Sequence, residues 1–200
     1  MSTTSGRLPA AERRAGLVDA ALRVFAEGSY DGATTAEIAR AAGVSEPILY
    51  RHFGSKRDLY VACLDEMWQR LRGTVEEILA AEPDPREWPF AMPKAIGRLR
   101  GEGIHPNQLW IQALSQASED PDLRRLVRKH VREVHDYVAD HNRRAQAEGG
   151  VADNLDPNAE AWVGLGIGLL RSVQDSLGGL LTQEDFEAIL QARRRSLLTA

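Results

Sequence analysis

The chain has 200 residues, of which 43% are hydrophobic and 27% charged, and its formal net charge is −4. These values are typical of a globular protein and argue against intrinsic disorder. The longest apolar stretches, such as residues 162–170, are far shorter than the roughly 18 residues of a membrane-spanning helix. The N-terminus also lacks the hydrophobic run of a signal peptide, so we expect a cytoplasmic protein with no membrane partner.

The charge is unevenly distributed along the chain. Residues 1–57 contain eight Lys/Arg and six Asp/Glu, a net charge of +2, whereas residues 58–200 contain 17 and 23, a net charge of −6. A basic N-terminal part suits a polyanion, and an acidic remainder is repelled by one. Cys63 is the sole cysteine and cannot form an internal disulfide, so we expect a small buried apolar residue.

A helical period runs through the sequence and no alternating stretch competes as a strand, so the predicted fold class is all-α. The first helix is expected at about residues 10–26, where Gly28 stops it. A second helix begins at Thr34, because Thr34 and Glu37 form a Thr-x-x-Glu capping box, and it ends at Gly43.

Ser45 is expected to cap a third, short helix that carries Pro47 in its first turn and reaches about Phe53. Ser55 then caps a long helix at about residues 56–81, which should connect two parts of the chain.

The rest of the chain is predicted to be helical as well. Residues 83–103 contain four prolines and are interpreted as a loop followed by a broken helix. Thr182 is the expected cap of the last helix. The helices beyond the proline-rich segment are expected at about residues 107–118, 121–148, 157–180 and 183–198.

Residues 34–53 have the residue types of two short helices that cross at a tight turn. Ala39 is small enough for close helix approach, and Gly43 can adopt the positive φ of the turn. A small core would come from Ile38, Val44, Leu49 and Phe53. The polar residues then lie outside, so the second of these helices can enter a DNA major groove.

This segment resembles the tetracycline-repressor (TetR) family. The motifs T-x-x-E-I-A, A-G-V-S, L-Y-x-H-F and S-K-x-x-L occur at residues 34–39, 42–45, 49–53 and 55–59. The resemblance implies an N-terminal three-helix helix-turn-helix domain and a C-terminal helical domain for ligand binding and dimerisation. The expected limits are residues 9–55 and 56–200, after a flexible arm at residues 1–8 in which Arg7 is a further candidate DNA contact.

By position, the resemblance implies contacts with the DNA backbone and with bases. The backbone contacts are expected from Thr34, Ser45, Tyr50, His52 and Lys56, and the base or groove contacts from Pro47 and Arg51. Arg51 either pairs with guanine or binds a phosphate. Lys56 lies at a helix N-terminus, where its charge opposes the helix dipole, and this placement favours an anion nearby.

The sequence departs from the usual family pattern at Glu46, Pro47 and Ile48. Glu46 has two interpretations, as an acceptor for a cytosine amino group or as a charge that complements the helix N-terminus. Ile48 either contacts a thymine methyl group, as Pro47 would, or packs inward. We keep both alternatives for each residue.

The C-terminal part is longer than DNA binding alone requires, and its length predicts a sensor domain. Aromatic and polar residues cluster in the proline-broken segment and the helix after it, and such a lining suits an apolar molecule with few polar groups. Each of these residues is also interpretable simply as core. The candidate effector pocket consists of Trp88, Phe90, Met92, Leu109, Trp110, Gln112 and Gln116.

A glycine pattern, Gly164-x-Gly166-x-Gly168, lies within an apolar helical run. No strand precedes it, so a phosphate-binding loop is rejected. Each glycine costs a helix about 1 kcal/mol relative to alanine, and close packing against another helix would offset that cost. These glycines and Leu169 form the candidate dimer interface.

No metal site, cofactor or catalytic motif is predicted. Glu102 and His105 match half of a di-iron motif, but the helix that should carry them is broken and no second copy exists. His130, His135 and His141 are spaced by five and six residues, so they do not stack on one helix face. We find no nucleophile context that would indicate an enzyme.

The sequence therefore predicts a ligand-responsive repressor that binds a palindromic operator in double-stranded DNA as a homodimer. A small apolar or amphipathic effector is expected to release it. Two alternatives remain: a helical-bundle enzyme or ligand carrier with an incidental helix-turn-helix, and an architectural DNA binder without an effector. Activation instead of repression is equally compatible with the sequence.

Overall fold

The computed structural model describes residues 9–198, so the predicted arm at residues 1–8, with Arg7, lies outside the described residues. Within that range the chain forms nine α-helices and one 3-10 helix and no strand, which confirms the all-α class. The 3-10 helix is Pro85–Phe90. The α-helices are α1 (Ala10–Glu27), α2 (Thr35–Ala41), α3 (Glu46–His52), α4 (Lys56–Ala81), α5 (Ala91–Gly101), α6 (Pro106–Gln116), α7 (Pro121–Ala147), α8 (Pro157–Leu177) and α9 (Gln183–Leu198).

The chain divides into two compact units, and the division falls between Met67 and Trp68, inside α4. The first unit contains α1 to α3 and the first part of α4. The second contains the rest of α4 and all later elements. None of the helices in residues 9–198 has the length and hydrophobicity that a bilayer crossing requires. The domain limits expected from the sequence, residues 9–55 and 56–200, remain predictions.

The first unit is built around one face of α1. Leu17, Leu22 and Phe25 are buried on this face at helical spacing, as predicted. The ring of Tyr60 in α4 lies edge-on to that of Phe25, with the ring centres 4.9 Å apart. Cys63 is fully buried, which confirms its expected burial, and its thiol donates to the Val18 carbonyl at 3.8 Å.

The second unit has two hydrophobic clusters. The first is formed by Trp68, Leu71, Val75, Ala91, Ala95, Leu99 and Val134, and the second by Phe90, Ala145, Val151 and Leu197. Helix α7 contributes to both and packs against α6, α8 and the 3-10 helix. Through these clusters, the proline-containing segment packs against the long helix α7.

Two predicted boundaries are corrected by the structure. α8 ends at Leu177 and not near residue 180, because Gly178 and Gly179 adopt positive φ angles of 62° and 64° that a helix cannot continue through. α6 spans Pro106–Gln116 and not residues 107–118, since its first residue is a proline, which is suited to the first turn. Thr182 caps α9 as predicted, because its hydroxyl accepts a hydrogen bond from the Asp185 amide at 3.0 Å.

Candidate nucleic-acid interface

The N-terminus of α2 is fixed by the predicted capping box. The Thr34 hydroxyl accepts a hydrogen bond from the Glu37 amide at 3.2 Å, and the Thr34 amide donates to the Glu37 carboxylate at 2.9 Å. These two bonds satisfy amide groups that have no partner within the helix. The amide hydrogen bond from Thr34 also lowers the pKa of Glu37 below its ordinary value, because it stabilises the carboxylate.

A tight turn joins α2 to α3. Gly43 has a φ of 68°, the positive value that the sequence predicted for it. Of the four residues expected to form a small core here, Ile38, Leu49 and Phe53 are buried, whereas Val44 is half-buried. The two helices therefore pack against each other through their apolar sides and leave the polar side of α3 facing outward.

Ser45 occupies the N-cap position of α3, as predicted, but its hydroxyl makes no capping hydrogen bond. The reason lies in the first turn. Pro47 has no amide hydrogen to donate, and the amide of Ile48 binds the backbone carbonyl of Ser45 at 2.9 Å instead. The Ser45 hydroxyl is consequently available for another partner.

The outward face of α3 contains the side chains expected to meet DNA. Pro47, Tyr50 and Arg51 are exposed, and Tyr50 keeps 48% of its accessible surface. Glu46 and Ile48 are half-buried, as is His52. Residues 46, 47, 50 and 51 share one side of a helix, opposite the buried Leu49. The partial burial of Ile48 leaves both of its interpretations open.

A hydrogen-bond network that the sequence did not predict links α2 to α3. The Thr35 hydroxyl donates to Oε1 of Glu46 at 2.5 Å and lies 3.1 Å from the hydroxyl of Tyr50. Thr35 itself is buried, with 9% of its surface exposed. No local pattern marks this pair, because Thr35 and Glu46 are 11 residues apart and lie on different helices. We therefore add Thr35 to the candidate interface.

Lys56 at the start of α4 has partners within the protein. Its Nζ lies 4.5 Å from the centre of the Tyr30 ring and donates to the carbonyl of Asp31 at 3.5 Å. Partial burial lowers the pKa of Lys56. The charge at this helix start has partners inside the protein, the Tyr30 ring and the Asp31 carbonyl, so its position does not by itself indicate an external anion. Its contact with DNA stays a prediction.

The candidate effector residues are distributed over the second unit. Trp88 and Met92 line a small cleft together with Tyr137, His141 and Asn142, and the cleft has room for about one water molecule. Phe90 belongs instead to the second hydrophobic cluster.

The other four candidates lie on α6. Trp110 packs against the first hydrophobic cluster, as Met92 does, and its ring centre is 5.2 Å from that of His130. Leu109 is buried, and Gln112 and Gln116 are half-buried. The three buried histidines of α7 form no metal site, since no group of three His, Cys, Asp or Glu within residues 9–198 could hold a metal ion.

The three glycines of α8 have open space beside them. Gly164 and Gly166 are exposed and Gly168 is half-buried, and a Cβ added at any of them would meet no atom within 4 Å. The large apolar side chains exposed on the same helix are Trp162, Val163, Leu169, Val173 and Leu177. Within the described residues, the close packing expected for these glycines is not made by another helix of the chain.

The α2–α3 geometry and the larger helical unit after it define a helix-turn-helix protein with a second, all-helical unit. Residues 17–63 match the family model described as "Bacterial regulatory proteins, tetR family", and residues 100–167 match "BetI-type transcriptional repressor, C-terminal". The chain belongs to the tetR family of bacterial transcriptional regulators.

Two curated relatives match parts of the chain. It is 44% identical over 81 residues to the HTH-type transcriptional activator FasR of Mycolicibacterium smegmatis, over 40% of this chain and 37% of FasR. It is 34% identical over 115 residues to the HTH-type transcriptional regulator BetI of Rhizobium meliloti, over 58% of this chain and 57% of BetI. The chain thus spans 37% and 57% of the length of these relatives. Both are named as regulators and not as enzymes.

Solved structures share the fold over nearly the whole chain. A putative TetR-family transcriptional regulator from Rhodococcus sp. has a TM-score of 0.82 at 23% identity, covering 94% of this chain and 100% of that one. AibR, solved in complex with isovaleryl coenzyme A and operator DNA, has a TM-score of 0.65 at 21% identity, covering 93% and 98%. At these identities the likeness shows the fold alone.

Proposed function

We propose that the protein is a transcriptional repressor that binds a palindromic operator as a homodimer and is released by a small apolar or amphipathic effector. The observation that carries DNA binding is the outward face of α3, where Pro47, Tyr50 and Arg51 are exposed on a helix that packs against α2. The match to a BetI-type repressor C-terminal model supports repression. A protein that acts on DNA in this way works in the cytoplasm.

The proposed division of labour on DNA follows the chemistry of each side chain. Thr34, Ser45, Tyr50, His52 and Lys56 contact the DNA backbone, which positions the protein without reading sequence. The base-reading residues are Glu46, Pro47, Ile48 and Arg51. Arg51 has the planar fork that matches two acceptors of guanine. The unused hydroxyl of Ser45, freed by Pro47, suits a phosphate oxygen.

The exposed apolar face of α8 supports the homodimer. Leu177 keeps 70% of its surface and Trp162 46%, and both lie on the helix that carries the glycines. Large apolar side chains grouped on one helix face of a water-exposed surface indicate a contact with another protein surface. A second copy of the chain would bury this face about a twofold axis. Two DNA-binding units related by that axis would bind a palindromic sequence.

The effector proposal is supported by the cleft beside Trp88 and Met92 and by the fold shared with AibR, which was solved with isovaleryl coenzyme A. The cleft is too small for such a molecule, so an effector would bind a population in which it has widened. Release from DNA then requires that the effector binds the DNA-free form more tightly than the DNA-bound form.

Selection of genomic fragments by the purified protein tests the DNA-binding proposal. We expect recovery of a palindromic site, and binding of that site should fall at least tenfold in Arg51→Ala because a guanine or phosphate contact is lost. Arg128→Ala, at an exposed position of α7, is the matched control and should bind as the wild type does. Failure to enrich any sequence at low salt would contradict the proposal.

Titration of the selected DNA complex with short-chain acyl-CoA thioesters tests the effector. We expect release by a thioester but not by free coenzyme A, together with a rise in thermal stability that Met92→Trp abolishes by filling the cleft. If none of the thioesters or other amphipathic molecules changes either the affinity for DNA or the melting temperature, the protein binds DNA without an effector. A reporter fused to the selected site decides between repression and activation.

A further inference from the structure

In the hydrogen-bond network of Thr35, Glu46 and Tyr50, the available protons determine which group donates and which accepts. A carboxylate can only accept hydrogen bonds, so the single hydroxyl proton of Thr35 goes to Glu46 Oε1. The contact between Thr35 and Tyr50 must then use the phenolic proton of Tyr50, with the Thr35 oxygen as acceptor. The chain of donation runs from Tyr50 through Thr35 to Glu46, and each bond polarises the next.

This network fixes the direction of a carboxylate on the face that is proposed to meet DNA. Within the part of the chain that the structure describes, Thr35 is the one hydrogen-bond partner of the Glu46 side chain, and it occupies only Oε1. Oε2 therefore keeps its capacity to accept. Because Thr35 is buried and belongs to α2, the carboxylate is held by a second helix and loses less rotational freedom when it binds a ligand.

A fixed carboxylate in a DNA groove is selective because of its charge. It repels the phosphates at every sequence, so it lowers non-specific affinity. The repulsion is offset only where a base offers a hydrogen-bond donor, and in the major groove the amino group of cytosine is the donor that a carboxylate accepts from most readily. Arg51, one turn further along α3, supplies the positive charge that keeps the face attractive to DNA.

We propose that Thr35 is a positioning residue that holds Glu46 as a cytosine-selective acceptor, so that each half of the operator carries a C·G pair at one defined position. The inference rests on the proposed DNA-binding function and adds a base preference and the residue that enforces it. It differs from the view that Glu46 only complements the start of α3, because a charge with that role would affect helix stability and not base preference.

Binding-site selection from DNA with randomised half-sites tests the proposal. We expect the wild type to enrich one C·G position in each half-site, and Thr35→Val and Glu46→Gln each to reduce that preference about tenfold. Thr35→Ser keeps the hydroxyl and should restore the preference. Thr74→Val removes a threonine hydroxyl that binds the Arg70 carbonyl in α4 and is the matched control, with wild-type selection expected.

Tyr50→Phe keeps the test decisive if Thr35→Val fails to fold. Loss of a contact with the DNA backbone would weaken binding to all sequences equally. Loss of the first donor in the network lowers the cytosine preference specifically, and a several-fold drop in that preference is the expected result. A site enriched by the wild type without the C·G position, or one whose preference survives in these variants, overturns this inference alone. No enriched site at all overturns the proposed function and this inference with it.

Discussion

Glu87 of the 3-10 helix and Arg194 of α9 form a bidentate ion pair across 107 residues of the chain, with one of the two bonds at 2.9 Å. Lys94 of α5 donates to the same carboxylate at 2.8 Å. The hydrogen bond from Arg194, and after it that from Lys94, lowers the pKa of Glu87 from 4.5 to about 2. One carboxylate therefore connects three elements of the second unit.

The ion pair predicts how stability depends on pH. Because the folded state depresses the pKa of Glu87, its contribution is present above pH 4.5 and is lost as the pH falls toward 2. Glu87→Gln should therefore lower the free energy of unfolding at pH 7, and the difference from wild type should shrink by pH 3. Urea unfolding at both pH values measures it. Glu119→Gln, at an exposed position, is the control, and a difference that stays constant with pH contradicts the assignment.

The capping box of α2 predicts a local loss of stability. Thr34→Ala leaves the Glu37 amide without its acceptor and should cost about 1 kcal/mol. Thr34→Ser keeps the hydroxyl and should recover most of the loss. Hydrogen exchange of the α2 amides, compared with those of α7, measures the effect where it occurs. Equal exchange rates in Thr34→Ala and wild type would show that the bond is not important for stability.

Lys56 offers a test that separates its two roles. If Lys56 binds a phosphate, Lys56→Gln should reduce the slope of log affinity against log salt by about 1 without changing the base preference. If its charge serves only Tyr30 and Asp31, the salt slope should stay as in the wild type and the first unit should become less stable. Affinity measured at four salt concentrations, together with a thermal unfolding curve, distinguishes these results.

The open face of α8 predicts dimerisation through that helix. Leu177→Glu places a charge on the exposed apolar face and should convert a dimer into a monomer, as measured by light scattering after size exclusion. Leu126→Glu, at another exposed leucine, on α7, should leave the dimer intact. A dimer that persists in Leu177→Glu would place the interface elsewhere.

Gly166→Ala tests the same face with a small apolar change instead of a charge. The added methyl group meets no atom within 4 Å in the chain, so helix propensity should stabilise the monomer by about 1 kcal/mol. If a partner helix packs closely on Gly166, the dimer should nevertheless dissociate more readily. A dimer that becomes tighter would show that the glycine makes no close contact.

The helices were predictable from sequence because their signals are local. Thr34, Gly43, Ser55 and Thr182 mark helix ends through bonds and angles that involve residues a few positions away, and each was found where it was expected. Ser45 makes no side-chain cap for an equally local reason, since Pro47 has no amide hydrogen and the amide of Ile48 binds the Ser45 carbonyl instead.

The tertiary partners of the site residues were not predictable in the same way. Thr35 and Glu46 are 11 residues apart, and Lys56 lies 25 residues from the carbonyl that it binds. Nothing in the local pattern specifies such pairs, because they depend on how two helices cross. For the same reason, the predicted effector residues do not form one group. Their spacing along the helices does not show that Phe90 and Trp110 belong to different clusters.

The claim that α2 and α3 form a sequence-reading unit is tested most directly by measuring the affinity of the wild type for its selected site and for a scrambled duplex over a series of salt concentrations. We expect at least about a 10³-fold preference for the selected site, with log affinity falling linearly with log salt. Equal affinity for the two duplexes, or an affinity that does not change with salt, would contradict it.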